Sequence, residues 1–454
     1  MKAQSTKKPL LDVLQEKVMP IANKIGNQRH MKAISSGLMY LIPLSLLGAI
    51  FNIIANPPIT ESIIQQGGLY AKIFSGWYYF AQHYKAILTV PGNMTVGLMS
   101  IVAVIGISYN LAKSYKMKEL STAILSLIMF LIVASPLEPA YLASVVTQGA
   151  DISKLPSASV LNSAYLGSPG LFVAIVIALL STEVTRFCFK KNLKITMPDS
   201  VPPAVAESFS AVIPAIINCI IFFGADLLLK KFSGVSLPAA ITSILTPAID
   251  NINTPVAMIG IITLGNFLWL FGIHGAAITS MLYLPVSLAL TGANAALVAD
   301  GQSPVFEPVF LTQFANAYFG LNLLLLFAKS KQLKAVGKVS IIPGVFMISE
   351  PLIFGSPIMF NPILAIPHLL APIISMILTY IGYSIGFIGA PFNVLFARLP
   401  LGLNPFFGSM DFNNLIFFFL MMPVHVLIWY PFFKVYDRQL VIKEKEAETE
   451  AINA

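Results

Sequence analysis

Between Lys338 and Arg398 the chain carries a single charged side chain, Glu350, in an otherwise apolar tract. A tract this long and this apolar predicts a chain embedded in a lipid bilayer. Placing a carboxylate at mid-bilayer costs about 3 kcal/mol or more, so an acidic residue there is functional by default. We therefore expect Glu350 to belong to a functional site.

Helix-breaking residues flank Glu350 on both sides. They are Pro343, Gly344, Pro351, Gly355, Pro357 and Pro362. Broken backbone at membrane depth is tolerated where it is buried in protein or lines a cavity. The combination predicts discontinuous or re-entrant elements around a substrate site, as in transporters. A plainer alternative is a proline-kinked helix in which Glu350 pairs with a neighbouring polar group.

The composition of the chain assigns its broad class. Of its 454 residues, 56% are hydrophobic and 11% charged, whereas soluble domains carry about 25% charged residues. We expect an all-α polytopic membrane protein with about ten transmembrane helices plus re-entrant hairpins. Nucleic-acid binding is not expected, because the sequence contains no soluble basic domain to carry it.

The apolar stretches can be assigned to spans in chain order. Single spans are expected at Ala33–Ala55, Ala86–Ala112, Leu120–Val133, Gly170–Cys188, Val305–Ala328, Ile363–Ile388 and Leu415–Phe433. The tract from Ile252 to Leu290 is interrupted at Gly272–Gly275, and predicts a span plus a re-entrant hairpin. The crossings between residues 201 and 247 stay open.

Lysine and arginine are distributed unevenly among the connecting segments, and this predicts the orientation of the chain. The basic segments are Lys113–Lys118, Arg186–Lys194 and Lys329–Lys338. The loops expected at 56–84 and 135–169 are poorly basic. Because basic loops stay in the cytoplasm, both termini are expected there, in a multi-pass plasma-membrane protein. Residues 1–32 are expected to form an amphipathic cytoplasmic lead-in, and 434–454 a charged tail that is helical or disordered.

His274 is a second isolated chemical group. The tract 251–299 contains no Asp, Glu, Lys or Arg, and His274 is its only histidine. Gly272 and Gly275 flank it, and their missing side chains let backbone approach a ligand. Imidazole donates and accepts hydrogen bonds and titrates near neutrality, so with Glu350 it is expected to orient a substrate hydroxyl and accept its proton. The alternative is a structural histidine bonded to a carbonyl.

Trp269 lies five residues before His274. Its indole is either a platform for the C–H face of a sugar ring or a lipid-facing packing group, and the sequence does not decide between them. The amide of Asn361 is a further candidate hydrogen-bonding group. The candidate substrate-binding residues are therefore Glu350, His274, Trp269, Asn361 and Gly275.

Several familiar catalytic patterns are missing from the sequence. It contains neither HExxH nor GxxxxGK[ST], which removes the main support for a membrane metalloprotease or an ATPase. Its two cysteines, Cys188 and Cys219, are too few for a disulfide framework or a cysteine metal site. Neither a metal nor a cofactor is expected.

Several sequence blocks, in a fixed order, resemble one known family. They are Met19–His30, Val201–Phe209, Gly272–Gly275, Ile348–Gly355 followed by Asn361-Pro362, and Tyr430–Asp437. Over nearly its whole length the chain resembles the membrane component IIC of a phosphoenolpyruvate-dependent sugar phosphotransferase system, in the lactose/cellobiose/diacetylchitobiose family.

The resemblance implies an architecture and a function. It implies a bacterial homodimer with an interface domain at 33–235 and a mobile substrate domain at 236–433. It makes His274 and Glu350 the family's histidine–glutamate pair, and Trp269 the tryptophan beside the sugar. The sugar would be moved inward and phosphorylated at its 6-hydroxyl by a separate IIB protein carrying a phosphocysteine, with IIA on another chain.

Two questions stay open at the level of sequence. A proton-coupled sugar symporter, in which Glu350 and His274 relay protons, is the alternative function. Some family members carry a second tryptophan where this chain has Arg398–Leu401, so a second stacking platform is in doubt. We expect a β-linked disaccharide such as cellobiose, with its second ring held more loosely than its first.

Overall fold

The computed structural model describes residues 28–138, 160–198, 200–356, 358–359, 361–393, 395 and 399–453. Most of the expected lead-in helix, and most of the block Met19–His30, lie outside these residues. So does Arg398, the first residue of the Arg398–Leu401 segment.

Helices dominate the described residues, as expected from the apolar composition. In chain order they are α1 (Arg29–Leu38), α2 (Leu41–Ala55), α3 (Glu61–Gln66), α4 (Leu69–Val96), α5 (Met99–Ser114), α6 (Glu119–Ala134), α7 (Leu171–Lys190), α8 (Pro203–Ser210), α9 (Val212–Ser233), α10 (Leu237–Ile252), α11 (Pro255–Trp269), α12 (Gly275–Ala299), α13 (Tyr318–Leu326), α14 (Lys331–Val345), α15 (Glu350–Gly355), α16 (Pro362–Ser384), α17 (Leu403–Ser409) and α18 (Phe412–Asn453). Short 3-10 turns occupy Ser168–Gly170 and Pro308–Gln313. Two-residue strands β1 (Leu137–Glu138) and β2 (Val160–Leu161) pair antiparallel.

Helices α1, α2, α5, α6 and α7 pack around one buried core, to which Phe222 of α9 and Leu288 of α12 also belong. Ala103, Ile107 and Leu111 of α5 lie at its centre and are fully buried. Small residues bring the helices together: a Cβ on Gly37 of α1 would lie 2.5 Å from the backbone nitrogen of Ile107. Close approach at small residues is how membrane helices gain packing energy where lipid supplies no hydrophobic drive between them.

The helices from α11 to α18 surround a second buried core. Trp429 of α18 is fully buried there, and its indole N–H donates to the backbone carbonyl of Ala317 at 3.1 Å. Buried residues of α11, α13, α16 and α18 contribute to the same cluster. This second core holds the elements that interrupt the helical pattern.

Helices are interrupted at several points in the part of the chain from α10 to α18, which we call the second region; the part before it is the first region. Helices α10 and α11 meet at a 73° bend. A turn with Gly272 at φ +75° joins α11 to α12, at the predicted interruption. The chain breaks again between α14 and α15, where Met347 has φ +60°. The discontinuity expected around Glu350 is therefore present, because α15 is only six residues long.

The described residues contain eight helices long and apolar enough to cross a membrane, or nine if the bent pair α10–α11 is one span. These counts rest on length and composition, and the total of about ten spans stays a prediction. Helix α6 matches the expected short stretch Leu120–Val133, but is shorter than these candidates. The charged tail is helical, because α18 continues through it to Asn453.

One boundary predicted from the sequence is wrong. The segment 56–84 is not a loop throughout, because α4 begins at Leu69 and its Trp77 donates to the carbonyl of Ile54 at 2.7 Å. The predicted span Val305–Ala328 corresponds to a candidate span at Pro308–Leu326, in which a 3-10 turn and a break precede α13. The segment between α16 and α18 contains the short helix α17.

The basic segment Lys329–Lys338 is mostly helix α14 rather than a loop. Carboxylates of α18 accept hydrogen bonds from the backbone N–H groups at the start of α14. Glu444 accepts from Lys331 at 3.0 Å and from Gln332 at 3.1 Å. Asp437 accepts from Ser330 at 2.8 Å. The first N–H groups of a helix have no partner within it, so these distant acceptors add to the local cap, the Ser330 hydroxyl, which accepts from Leu333 at 3.2 Å.

Candidate substrate-binding site

A cavity of about 380 Å³ lies in the second region. Its wall combines α11, α12, the segment from Glu307 to Tyr318, the start of α15 and part of the segment 391–408. Small-molecule sites measure about 300–1,000 Å³ and are mainly apolar with a few convergent polar groups. The cavity therefore has the size for a ligand such as a sugar.

Glu350 is part of this wall. It is the first residue of α15 and is half-buried. Its carboxylate makes no side-chain hydrogen bond to any residue in the described ranges. An ionised carboxylate is acceptor-only, so Glu350 presents unused acceptor oxygens to the cavity. This placement favours the broken-helix interpretation over a kinked helix with a paired Glu350.

Trp269, the last residue of α11, lines the same cavity. It is 5% exposed, so it packs within the protein rather than facing lipid. Its ring centroid lies 5.7 Å from that of Phe354 on α15, in an edge-on arrangement. The structure thus brings the indole and the Glu350 carboxylate into one cavity, from separate elements.

His274 sits beside Trp269 but outside the cavity wall. The two ring centroids are 4.5 Å apart, and the imidazole is exposed. Its Nδ1 accepts from the backbone N–H of Ala277 at 3.1 Å and so caps α12. Because Nδ1 accepts, the proton of a neutral imidazole is on Nε2. His274 can therefore donate to a ligand from Nε2, while Glu350 is the group fitted to accept a proton.

Gly275 and Asn361 occupy structural positions outside the cavity wall. A Cβ on Gly275 would lie 1.8 Å from the carbonyl oxygen of Gly265, so only glycine allows α11 and α12 to approach there. The side chain of Asn361 caps α16, accepting from Ile363 at 3.0 Å and Leu364 at 3.2 Å. These contacts account for both residues without a ligand, and their substrate-binding role stays a prediction.

Glu307 is a cavity residue that the sequence reasoning missed. It is 3% exposed, and its two oxygens lie 2.9 Å from the Thr291 hydroxyl and 2.8 Å from the Asn294 amide nitrogen. Burial raises the pKa of Glu307 to about 8. The sequence feature that could have identified Glu307 is its position between Pro304 and Pro308, where hydropathy alone predicts the end of a span.

The hydrogen-bond geometry agrees with a protonated Glu307. The Thr291 hydroxyl lies 2.8 Å from the carbonyl of Ser287 and 2.9 Å from Glu307, but has only one proton to donate. If that proton goes to the carbonyl, which can only accept, Thr291 can accept from a protonated Glu307. A neutral carboxyl also removes the cost of burying an unpaired charge.

Comparison with known proteins identifies the family. A sequence model described as "Phosphotransferase system, EIIC" matches residues 35–372, well over half of the chain. The chain belongs to this EIIC family. The matched range includes Trp269, His274, Glu307 and Glu350. EIIC components transport sugar and work with an IIB domain, so this chain is a multi-pass membrane protein of a bacterial phosphotransferase system.

Full-length relatives are similar to this EIIC chain. It is 32% identical to the PTS system cellobiose-specific EIIC component of Geobacillus stearothermophilus, with 96% of each chain covered. It is 31% identical to the lichenan permease IIC component of Bacillus subtilis (strain 168), covering 96% of this chain and 95% of the relative. A lactose-specific EIICB component of Streptococcus mutans is 27% identical, with 74% of its length covered.

A solved structure has the same fold. It is the crystal structure of the transporter ChbC, the IIC component from the N,N'-diacetylchitobiose-specific phosphotransferase system. The TM-score is 0.82 at 30% identity, over 95% of this EIIC chain and 99% of ChbC. The resemblance drawn from the sequence blocks is confirmed at the level of family and fold.

Proposed function

We propose that this sugar permease imports a β-linked disaccharide resembling cellobiose, coupled to phosphorylation of its 6-hydroxyl by a separate IIB protein. The observation that carries the proposal is the presence of Trp269 and Glu350 in one cavity of a protein from the EIIC family. The names of the relatives, specific for cellobiose, lichenan and diacetylchitobiose, support a β-linked substrate.

The proposed chemistry divides the work among three side chains. Trp269 stacks on the apolar C–H face of one ring. Glu350 accepts a hydrogen bond from the reacting hydroxyl, and His274 donates from Nε2 to hold the sugar in place. The phosphoryl group then leaves the sulfur of a IIB phosphocysteine: the S–P bond breaks, the O–P bond forms, and Glu350 takes the hydroxyl proton.

IIB is proposed to dock on the cytoplasmic side, with both termini of the chain on that side. The basic residues of Lys113–Lys118, Arg186–Lys194 and Lys329–Lys338 support this orientation and would steer an acidic partner surface. Cysteines introduced at Lys116 or Lys334 should resist a membrane-impermeant reagent added to intact cells. Labelling from outside would contradict the orientation.

A homodimer formed through the interface domain, residues 33–235, is also proposed, with residues 236–433 as the mobile substrate domain. Two buried cores support the division, one centred on α5 and one around Trp429, and Leu288 of the proposed substrate domain packs into the first. Single-molecule photobleaching in lipid should give two steps per particle. A single step would leave the interface domain without its proposed role.

Binding measurements against a disaccharide panel test the choice of sugar. The purified protein should bind cellobiose and tolerate changes at the distal ring, because Arg398–Leu401 supplies no aromatic platform. Rejection of every distal-ring variant would refute the loose second subsite. Uptake that runs on a proton gradient without phosphoenolpyruvate would favour the symporter alternative, which the family match does not favour.

A further inference from the structure

Tyr318, which the function above leaves unused, lines the cavity beside Glu350. It is the first residue of α13 and is 8% exposed. Tyr318 and Ser349, the residue before Glu350, also line one smaller recess together. The Trp429–Ala317 hydrogen bond fixes the backbone immediately before it. Tyr318 is thus a rigidly held polar group at the wall where the reacting hydroxyl is proposed to sit.

The Tyr318 hydroxyl is hydrogen-bonded to a fully buried histidine. His368 of α16 is 0% exposed, and its Nδ1 lies 2.9 Å from the Tyr318 oxygen. Its Nε2 lies 2.7 Å from the backbone carbonyl oxygen of Asn266 on α11. The imidazole therefore bridges a cavity side chain to a helix that also forms the cavity wall.

The contacts of His368 with Tyr318 and Asn266 show which atoms carry the protons. A backbone carbonyl can only accept, so Nε2 of His368 carries a proton and donates it to Asn266. Both partners of the ring are uncharged and the imidazole is fully buried, so it is neutral and Nδ1 is an acceptor. The single proton of Tyr318 is then committed to Nδ1. Its oxygen is left with lone pairs only.

We propose that Tyr318 is a sugar-binding residue that acts solely as an acceptor, and that His368 is the positioning residue that imposes this polarity. The proposal rests on the function above. Glu350 is also acceptor-only, so this corner of the cavity selects two neighbouring sugar hydroxyls that both donate. A substituent that accepts but cannot donate, such as fluorine, is rejected at either position.

The experiment measures dissociation constants of the purified protein in lipid nanodiscs for cellobiose and a set of monodeoxyfluoro cellobioses. One analogue should lose affinity in the wild-type protein because its fluorine meets Tyr318. Tyr318→Phe should weaken cellobiose binding about fivefold to tenfold, as for one hydrogen bond, and should reduce the discrimination against that analogue.

Two substitutions of His368 separate positioning from packing. Asn has an acceptor where Nδ1 stood, so His368→Asn should keep the discrimination. Gln has a donor where Nε2 stood but no acceptor facing Tyr318, so in His368→Gln the tyrosine can turn its proton into the cavity and the discrimination should fall. If His368 had a purely structural role, its substitution would change the stability of the protein. The ratio of the affinities for cellobiose and the fluorinated analogue would then stay unchanged.

A matched control lies on α18. His425 is also buried, and its Nε2 lies 2.7 Å from the Ser375 hydroxyl, away from the cavity wall. His425→Asn should leave the discrimination as in the wild type. Equal affinity ratios in wild type, Tyr318→Phe and His368→Gln would overturn the inference. If the wild type bound no disaccharide, the proposed function itself would fail; if the His368 variants did not fold, Tyr318→Phe would decide alone.

Discussion

The two buried cores of this protein differ in the elements that their polar side chains join. In the first, hydroxyls such as that of Thr182 donate to a carbonyl one turn earlier in their own helix, at 2.7 Å, and contacts between helices, such as Ser126–Ser181 and Asn218–Thr185, join continuous helices. In the second, polar contacts such as Tyr318–His368 and Thr291–Glu307 join separate elements. Contacts between continuous helices support packing, whereas groups joined across breaks can hold a site together.

The difference follows from how the backbone is satisfied. A continuous helix in a membrane bonds its own N–H and C=O groups, so small residues and close packing suffice. A broken helix leaves polar groups that need partners from elsewhere. In the second region those partners converge on a cavity, and this is why the binding chemistry collects there.

The largest expected effect comes from Glu350→Gln. The substitution keeps the shape of the side chain but removes the proton acceptor, so phosphorylation-coupled uptake should be abolished while insertion and folding are kept. Uptake of labelled sugar into cells, with the protein quantified in the membrane, measures this. Glu61→Gln, at an exposed carboxylate on α3, is the matched control and should transport normally. Wild-type uptake by Glu350→Gln would rule out the site.

His274→Ala should also abolish uptake, but it removes both the cap of α12 and the Nε2 donor. His274→Asn separates the two roles, because Asn is a good N-cap but does not reach as far as Nε2. We expect His274→Asn to restore the thermal stability lost in His274→Ala and to remain inactive. An active His274→Asn protein would make this histidine a structural cap only.

Trp269→Ala should weaken disaccharide binding by about 1–3 kcal/mol, in the range for burying one large side chain. The indole is buried between the cavity and His274, so the loss should appear in affinity and, to a smaller extent, in stability. Calorimetric titration with cellobiose measures it. Trp77→Ala, at an indole bound to α2, is the control and should bind normally. Unchanged affinity in Trp269→Ala would remove that indole from the site.

A substitution in the first region should lower the stability of the protein and leave its sugar affinity unchanged. Gly37→Ala would place a Cβ 2.5 Å from the Ile107 nitrogen, so the free energy of unfolding should fall by about 1–3 kcal/mol while sugar affinity is unchanged. Gly76→Ala, where a Cβ has nothing within 4 Å, is the matched control and should be neutral or slightly stabilising. Weaker sugar binding by folded Gly37→Ala protein would break the contrast between the regions.

The smallest expected effect is a pH dependence from Glu307. Its pKa rises from 4.5 to about 8 on folding, so the folded state holds a proton that the unfolded state releases. The stabilisation from this proton is fully present below pH 4.5 and is lost as the pH rises through about 8. Melting temperatures of wild type and Glu307→Gln across this range should diverge, with the wild type declining more. Parallel curves would show that Glu307 stays ionised.

The sequence predicted the break at Glu350 and the interruption at Gly272–Gly275, because prolines, glycines and isolated charges act locally. It also predicted Trp269 and Glu350 as site residues, and the structure places both in one cavity. It missed the start of α14, because the run of basic residues favours a loop. Ser330 is a local cap there, and Glu444 and Asp437 add acceptors from more than a hundred residues away. It missed Glu307 and Tyr318 because burial and hydrogen-bond partners are tertiary properties.

The central claim is that sugar held between Trp269 and Glu350 is phosphorylated as it enters. The most direct test follows the chemical form of a labelled disaccharide taken up by membrane vesicles supplied with phosphoenolpyruvate, the general phosphotransferase proteins, IIA and IIB. The account predicts that internal sugar appears as its 6-phosphate, and that neither product nor uptake is seen with Glu350→Gln. Accumulation of unmodified sugar without phosphoenolpyruvate, or normal product formation by Glu350→Gln, would contradict it.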